Sequence, residues 1–171
     1  MTYSSSTTIG NTTAITETQL CCPRFDPAPW QEKEIRWDRK KFVTGHVRSL
    51  VHIPLNYSSV LRSLQEKIVK AEAMDDRLLT LSDERSLWGS DLFIAVTKDV
   101  PGCDMTELSG TFLTKVFEGP YRDAGKWAQE MGTFVRSQGK TLLKLYFFYT
   151  TCPTCAGAYG KNYTVLLAQV A

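Results

Sequence analysis

The chain has 171 residues, of which 43% are hydrophobic, 22% charged and 11% aromatic. These proportions support one generous domain or two small ones and exclude disorder for the bulk of the chain. The apolar runs fall short of the roughly 20 residues a membrane-spanning helix needs, so a soluble protein without a membrane partner is expected. Twenty Lys and Arg against eighteen Asp and Glu leave a net charge of +2. These charges are scattered, so no concentrated field exists for a phosphate backbone and nucleic acid is not an expected partner. Five cysteines and two histidines, with neither a basic start nor an apolar stretch after Met1, predict a cytoplasmic chain with reduced thiols.

Residues 1–20 are almost all Ser, Thr, Asn, Gly and Glu with isolated apolar residues, a composition that cannot offset its own ordering entropy. A disordered tail is expected there. From Cys21 the text becomes Cys-Cys-Pro-Arg-Phe-Asp-Pro-Ala-Pro-Trp, followed by Ile35 and Trp37. The prolines forbid a helix while the aromatics ask for burial, which predicts an extended arm over 21–39. Phe42–Ile53 has the β-branched content of a strand and stops at Pro54. Asn56 is placed to cap a helix whose apolar residues Val60, Leu61, Leu64, Ile68 and Ala71 recur at three- and four-residue spacing. Two strands follow, Leu78–Leu81 and Asp91–Val100, closed by the Pro101-Gly102 turn.

The order then repeats. Thr111–Glu118 reads as a strand ended by Gly119-Pro120. Ala124, Trp127, Ala128, Met131, Phe134 and Val135 form one stripe of a helix that Gly139 terminates. Leu142–Tyr149 and Tyr163–Val170 supply the last two strands. Two strand–helix–strand–strand units, about 40–101 and 108–171, imply a tandem α+β fold with pseudo-twofold symmetry: a mostly antiparallel sheet, helices on one face, and a groove between the units. The face opposite the helices is expected to be open.

The segment Gly110-Thr-Phe-Leu-Thr-Lys-Val-Phe-Glu-Gly-Pro-Tyr121, a strand running into a Phe-x-Gly-x-Tyr turn before the second helix, together with the duplicated order of elements, resembles the gyrase-inhibitor-like (GyrI-like) effector-binding domains. The similarity spans about residues 40–171 and is densest over 108–150. It implies a pocket between the units for a small hydrophobic or aromatic, often cationic, organic molecule. It further implies either a stand-alone binding protein, the sensor half of a transcription regulator, or a hydrolase of reactive cytotoxic molecules. Residues 1–40 offer no helix-turn-helix, so the regulator reading is not expected. The partner is then a small organic molecule, with the chain a monomer or homodimer. Binding is the leading expectation and hydrolysis the alternative.

Glu118 shares a strand face with Phe112 and Val116 at the last position before the turn. A carboxylate among apolar groups can serve as base, as water-positioner or as anchor for a cation, and the resemblance places an acidic residue inside the pocket. It can equally be a solvated strand end. In Leu-Lys-Leu-Tyr-Phe-Phe-Tyr149, alternation groups Tyr146 with Phe148 and sends Leu145, Phe147 and Tyr149 to the other side. Tyr146 is the expected hydrogen-bond donor and Phe148 a pocket wall, with core packing the competing account of each. Trp88, in a connection, and Tyr121 and Trp127, opening the second helix, are further candidate ligand contacts. So are Trp37, on the arm, and His52, near the position that duplication equates with Glu118.

Cys152-Pro-Thr-Cys155 follows a strand, but too little chain remains after it for a thioredoxin-like domain. Three readings stay open: a zinc site completed by Cys21 and Cys22, a redox-sensitive pair, or plain turn geometry. Adjacent cysteines diverge in an extended chain, which weighs against zinc, and no cofactor is expected. Cys103 has no assigned role.

Overall fold

The computed structural model describes residues 21–50, 53–84 and 88–171. The expected tail over 1–20 and His52 lie outside the described residues. Strands β1 (Lys33–Leu50), β2 (Ile53–Pro54), β3 (Thr80–Asp83), β4 (Gly89–Ala95), β5 (Asp104–Glu118), β6 (Leu142–Tyr149) and β7 (Tyr163–Val170) alternate with helices α1 (Tyr57–Lys70), α2 (Ala124–Ser137) and α3 (Pro153–Tyr159). All strand pairings are antiparallel, in the order β2-β1-β4-β3-β6-β7-β5. The α+β class, the antiparallel sheet and the tandem units are as the hydrophobic periods predict.

The two units are β1–α1–β3–β4 and β5–α2–β6–β7, with α3 inserted in the second. They meet along two seams. Ser82 of β3 faces Phe147 of β6, and β1 pairs with β5 from Lys33↔Thr114 to Thr44↔Asp104. Each seam joins equivalent strands of the two units, and each is antiparallel, as a local twofold axis through the seam requires.

The second seam changes the shape of the molecule. The 18-residue β1 uses one edge for β5 and, over Phe42–Arg48, the other for β4, so the sheet closes into a barrel. The face opposite the helices is therefore an interior. It is filled by Phe42, Phe93, Phe112, Tyr146, Phe148 and Leu167, all buried, with Phe25, Trp30 and Trp37 packed against them. An open sheet face was expected; long-range pairing of the segment before Phe42, which local composition marks only as an arm, closes it. Ile35 and Trp37 belong to β1, opposite Phe112 and Gly110. The strand kinks between Trp37 and Lys40, where Arg39 has φ 49°. The arm proper is the stretch before β1, held by Thr114 Oγ1 donating to the Trp30 carbonyl at 2.6 Å and by the Val116 amide donating to Gln31 Oε1 at 3.0 Å.

The helices cover the outer face. Leu64 and Ile68 of α1 pack on Val43, Val47, Leu92 and Ile94, and Gly45 permits the close approach, since a Cβ there would lie 2.7 Å from Leu64 Cδ1. Asn56 occupies the cap position without a capping bond; its Oδ1 accepts instead from the Arg48 amide at 2.7 Å. Trp127, Met131 and Val135 of α2 bury against Leu113, Phe117, Phe147 and Leu166. Gly139 ends α2 with φ 68°. The Cys152–Cys155 stretch opens the short helix α3, which Pro153 starts and Gly160 stops in the left-handed conformation.

Because the barrel interior carries the central packing, Phe42→Ala is expected to lower the unfolding free energy by about 3–5 kcal/mol. Leu143→Ala, at a position 59% exposed, should change it by no more than about 0.5 kcal/mol. Equal costs in chemical denaturation would contradict the closed barrel as the main core.

Candidate functional site

Helices α1 and α2 sit over opposite ends of the outer face, and the β3–β6 seam lies between them. Side chains that alternate outward from the seam meet there. Tyr149, the last residue of β6, donates its phenol proton to Glu84 Oε1 at 2.6 Å. Glu84 follows β3 directly. Tyr149 also stacks on Phe147, with ring centroids 6.0 Å apart, and meets Tyr121 edge-on at 5.4 Å. Tyr121 stands in the short 3-10 turn (Tyr121–Asp123) that leads into α2, and its hydroxyl donates to the Thr151 carbonyl at 2.6 Å. From the other unit Tyr57 opens α1. Tyr57 and Tyr121 thus occupy matching places, each at the start of its unit's helix, on either side of the seam.

The electrostatics tie these groups into one site. Burial raises the Tyr57 phenol above its ordinary value, and the nearby charge of Glu84 raises it further. Burial is also the main cause for Tyr149, which is pushed far above the ordinary phenol range, with the Glu84 charge and hydrogen bond adding to it. Tyr121 is raised by burial and then by Cys152. Three phenols are therefore held in the neutral, donor-competent form, and two of them, Tyr57 and Tyr149, feel the Glu84 carboxylate. The Thr164 hydroxyl, across from Tyr149 on β7, is buried with no partner among the described residues, an unmet polar group beside the site.

A second cluster borders the first. The Sγ atoms of Cys21, Cys22, Cys152 and Cys155 all lie within 4.8 Å of one another. Cys21 is 3.7 Å from Cys22 and 3.6 Å from both Cys152 and Cys155. The bend at Cys21–Cys22 turns the two adjacent side chains to the same side, which removes the objection that neighbouring cysteines diverge. The Cys155 amide donates to Cys152 Sγ at 3.5 Å and is the main cause lowering that thiol to about 7. Burial pushes Cys22 up to about 12.

The residues expected from sequence divide between this site and the barrel. Tyr121 belongs to the site. Trp88 is 66% exposed at the entry to β4, in the same connection as Glu84. Tyr146 is 1% exposed and Phe148 8%; both are part of the barrel interior, where Phe148 packs on Phe25 and Trp30. Trp37 packs on Phe112 at 4.4 Å, and Trp127, 4% exposed, stacks on Phe117 under α2. These three aromatics and Tyr146 are packing residues. Glu118 is exposed and sits opposite Tyr163, beside a shallow groove of about 430 Å³ lined by Pro27, Ala28, Gln31, Val116 and Tyr163. Tyr146 lies opposite Leu167, farther along β7, so the structure does not bring Glu118 and Tyr146 together. Alternation separates Tyr146 from Tyr149 as expected: barrel closure makes the Tyr146 face core, while Tyr149 lies on the outer face. Glu84, Tyr57 and Tyr149 were missed. The available signal was position: each stands at the end of an element flanking the predicted groove between units.

The chain matches the family model described as bacterial hydrolase over residues 12–170. No curated protein matches it. Among solved structures, the EcmrR C-terminal domain shares the fold with a TM-score of 0.63 at 11% identity, covering 83% of this chain and 98% of that one. A hydrolase from Listeria innocua gives a TM-score of 0.60 at 15% identity, covering 82% and 92%. An uncharacterized conserved protein from the same organism gives 0.60 at 16%, with the same coverage. At these identities the likeness is one of fold. The match over nearly the whole length is what assigns the sequence, and the chain belongs to the bacterial hydrolase family.

Proposed function

We propose that the protein binds a small hydrophobic or aromatic organic molecule in the groove between α1 and α2 and hydrolyses it there, with Glu84 as the base. The observation that carries this reading is the Tyr149–Glu84 hydrogen bond of 2.6 Å with Tyr57 and Tyr121 on either side. The family assignment supports hydrolysis. The tandem units, each contributing one tyrosine, support a GyrI-like arrangement with the ligand between the halves.

In this reading Tyr149 is a positioning residue. Its proton holds Oε1, which leaves Oε2 to take a proton from water as the water oxygen bonds to an electrophilic carbon of the ligand. The bond from that carbon to an oxygen leaving group breaks, and the electron pair goes to the oxygen. The neutral Tyr57 phenol donates a hydrogen bond to the developing oxyanion. The proton held by Glu84 then passes to the leaving oxygen, restoring the carboxylate. The rings of Tyr121, Tyr149 and Trp88 supply flat apolar surface for an aromatic guest, and a carboxylate among aromatic faces also favours a cationic one.

A panel of electrophilic aromatic esters and strained-ring compounds, followed for product, tests the assignment. Glu84→Gln is expected to lower kcat by about 100-fold or more while ligand affinity holds within a few-fold. Tyr149→Phe should lower kcat with little change in KM, and Glu118→Gln should leave both unchanged. Retained turnover in Glu84→Gln would overturn the mechanism. Ligand binding without product in the unmodified protein would leave a binding protein alone.

The same pair gives a pH prediction. Burial and the Glu84 charge raise Tyr149 in the folded state, so its neutral phenol contributes stability that is intact below the ordinary phenol range and is lost as pH rises through its folded value. Ultraviolet difference titration should find one tyrosine ionising far later than the rest. In Glu84→Gln its midpoint should fall but remain above that of an exposed tyrosine, since burial persists. An unchanged titration would contradict the coupling.

A further inference from the structure

The four clustered thiols lie outside the proposed chemistry, and their geometry is specific. Four thiolates bound to one ion at about 2.3 Å in a tetrahedron have sulfur–sulfur edges of about 3.8 Å. The edges from Cys21 to Cys22, Cys152 and Cys155 are 3.7, 3.6 and 3.6 Å, and the whole set fits within 4.8 Å. A disulfide needs sulfurs at about 2.05 Å, and all four cysteines are free thiols. A redox pair would also require only two of them.

The surroundings match a metal knuckle. Cys152 is the N-cap of α3, so its sulfur takes the Cys155 amide at 3.5 Å. The Cys152 amide in turn donates to Cys22 Sγ at 3.4 Å. Backbone N–H groups directed at sulfur stabilise the thiolate form that a metal ligand must have. Cys155 is 1% exposed, which places a side of the cluster in protein.

We infer that Cys21, Cys22, Cys152 and Cys155 bind one zinc ion as a closed tetrathiolate centre that staples the N-terminal arm to the β6–α3 connection. Four protein ligands fill the coordination sphere, so the ion is structural, with no position for water or substrate. It joins segments more than 130 residues apart, the case in which a metal clip removes the most freedom from the unfolded chain. The staple also explains how a proline-rich arm is fixed. Just beyond it Phe25 and Trp30 pack on Phe148, and the Tyr159 hydroxyl donates to the Cys22 carbonyl at 2.6 Å. Thr151, which precedes Cys152, holds Tyr121, so the centre fixes one wall of the groove as well.

Protein purified without chelator should contain close to one zinc per chain by elemental mass spectrometry. After exchange, Co2+ should give the intense visible absorption of a tetrahedral thiolate site. Cys21→Ser with Cys155→Ser should abolish both signals. A metal-free wild-type protein whose four thiols react freely with a thiol reagent in the native state would overturn the assignment, as would full zinc content in the double variant. The wild-type metal content and Co2+ spectrum decide the matter even where the variant does not fold, and they are independent of turnover.

Discussion

The pairing of β1 with both β4 and β5 is the constraint on which the rest of the structure depends. One strand long enough to serve two partners turns an open tandem sheet into a barrel. Closure satisfies the backbone groups of both outer edges and removes the unpaired edges such a sheet would otherwise present. It also dedicates the inner face to packing. An aromatic interior built on Phe42, Phe93, Phe112, Tyr146 and Phe148 has dense ring contacts, among them Phe93 edge-on to Tyr146 at 5.6 Å.

With the interior full, the proposed site lies on the outer face, where the duplication sets its place. Each helix shields one half of the sheet, and the α2 cluster reaches Phe147 at the central β3–β6 seam. Residues at the ends of β3 and β6 and at the starts of α1 and α2 converge over that seam. The symmetry is in the scaffold and not in the side chains: Tyr57 and Tyr121 match, whereas Glu84 and Tyr149 are unlike groups that complement one another as acceptor and donor. In the proposed mechanism this asymmetric acid–hydroxyl pair gives proton transfer its direction. The thiol cluster adds a further asymmetry, since only the second unit carries α3 and only the arm reaches it.

Much of the fold was legible because it rests on local periodicity. The stripe Val60, Leu61, Leu64, Ile68 predicts α1, the stripe from Ala124 to Val135 predicts α2, and alternation predicts β6 and β7, while β4 ends before Val100 and β5 starts at Asp104 rather than Thr111. Barrel closure was not legible. Residues 33–41 join a partner 66 to 81 positions away, and nothing in Lys-Glu-Ile-Arg-Trp announces it. Closure turns the face of Tyr146 into core and leaves Glu118 exposed at its strand end, while Tyr149 lies on the outer face. Trp88, in a connection, and Tyr121, leading into α2, keep the positions that the order of elements predicts for them. The convergence of Cys21 and Cys22 on Cys152 and Cys155 was legible as an option only. A local bend decides whether adjacent thiols point together, and composition does not report bends.

The central claim is that the organic guest occupies the outer groove over the β3–β6 seam and not the barrel. Nuclear magnetic resonance of ring-labelled tyrosines during titration with a bound aromatic ligand tests it directly. The account predicts that Tyr57, Tyr121 and Tyr149 shift while Tyr146 and Tyr163 stay in place. Movement of Tyr146, or of Tyr163 beside Glu118, with the three groove tyrosines unmoved would contradict it.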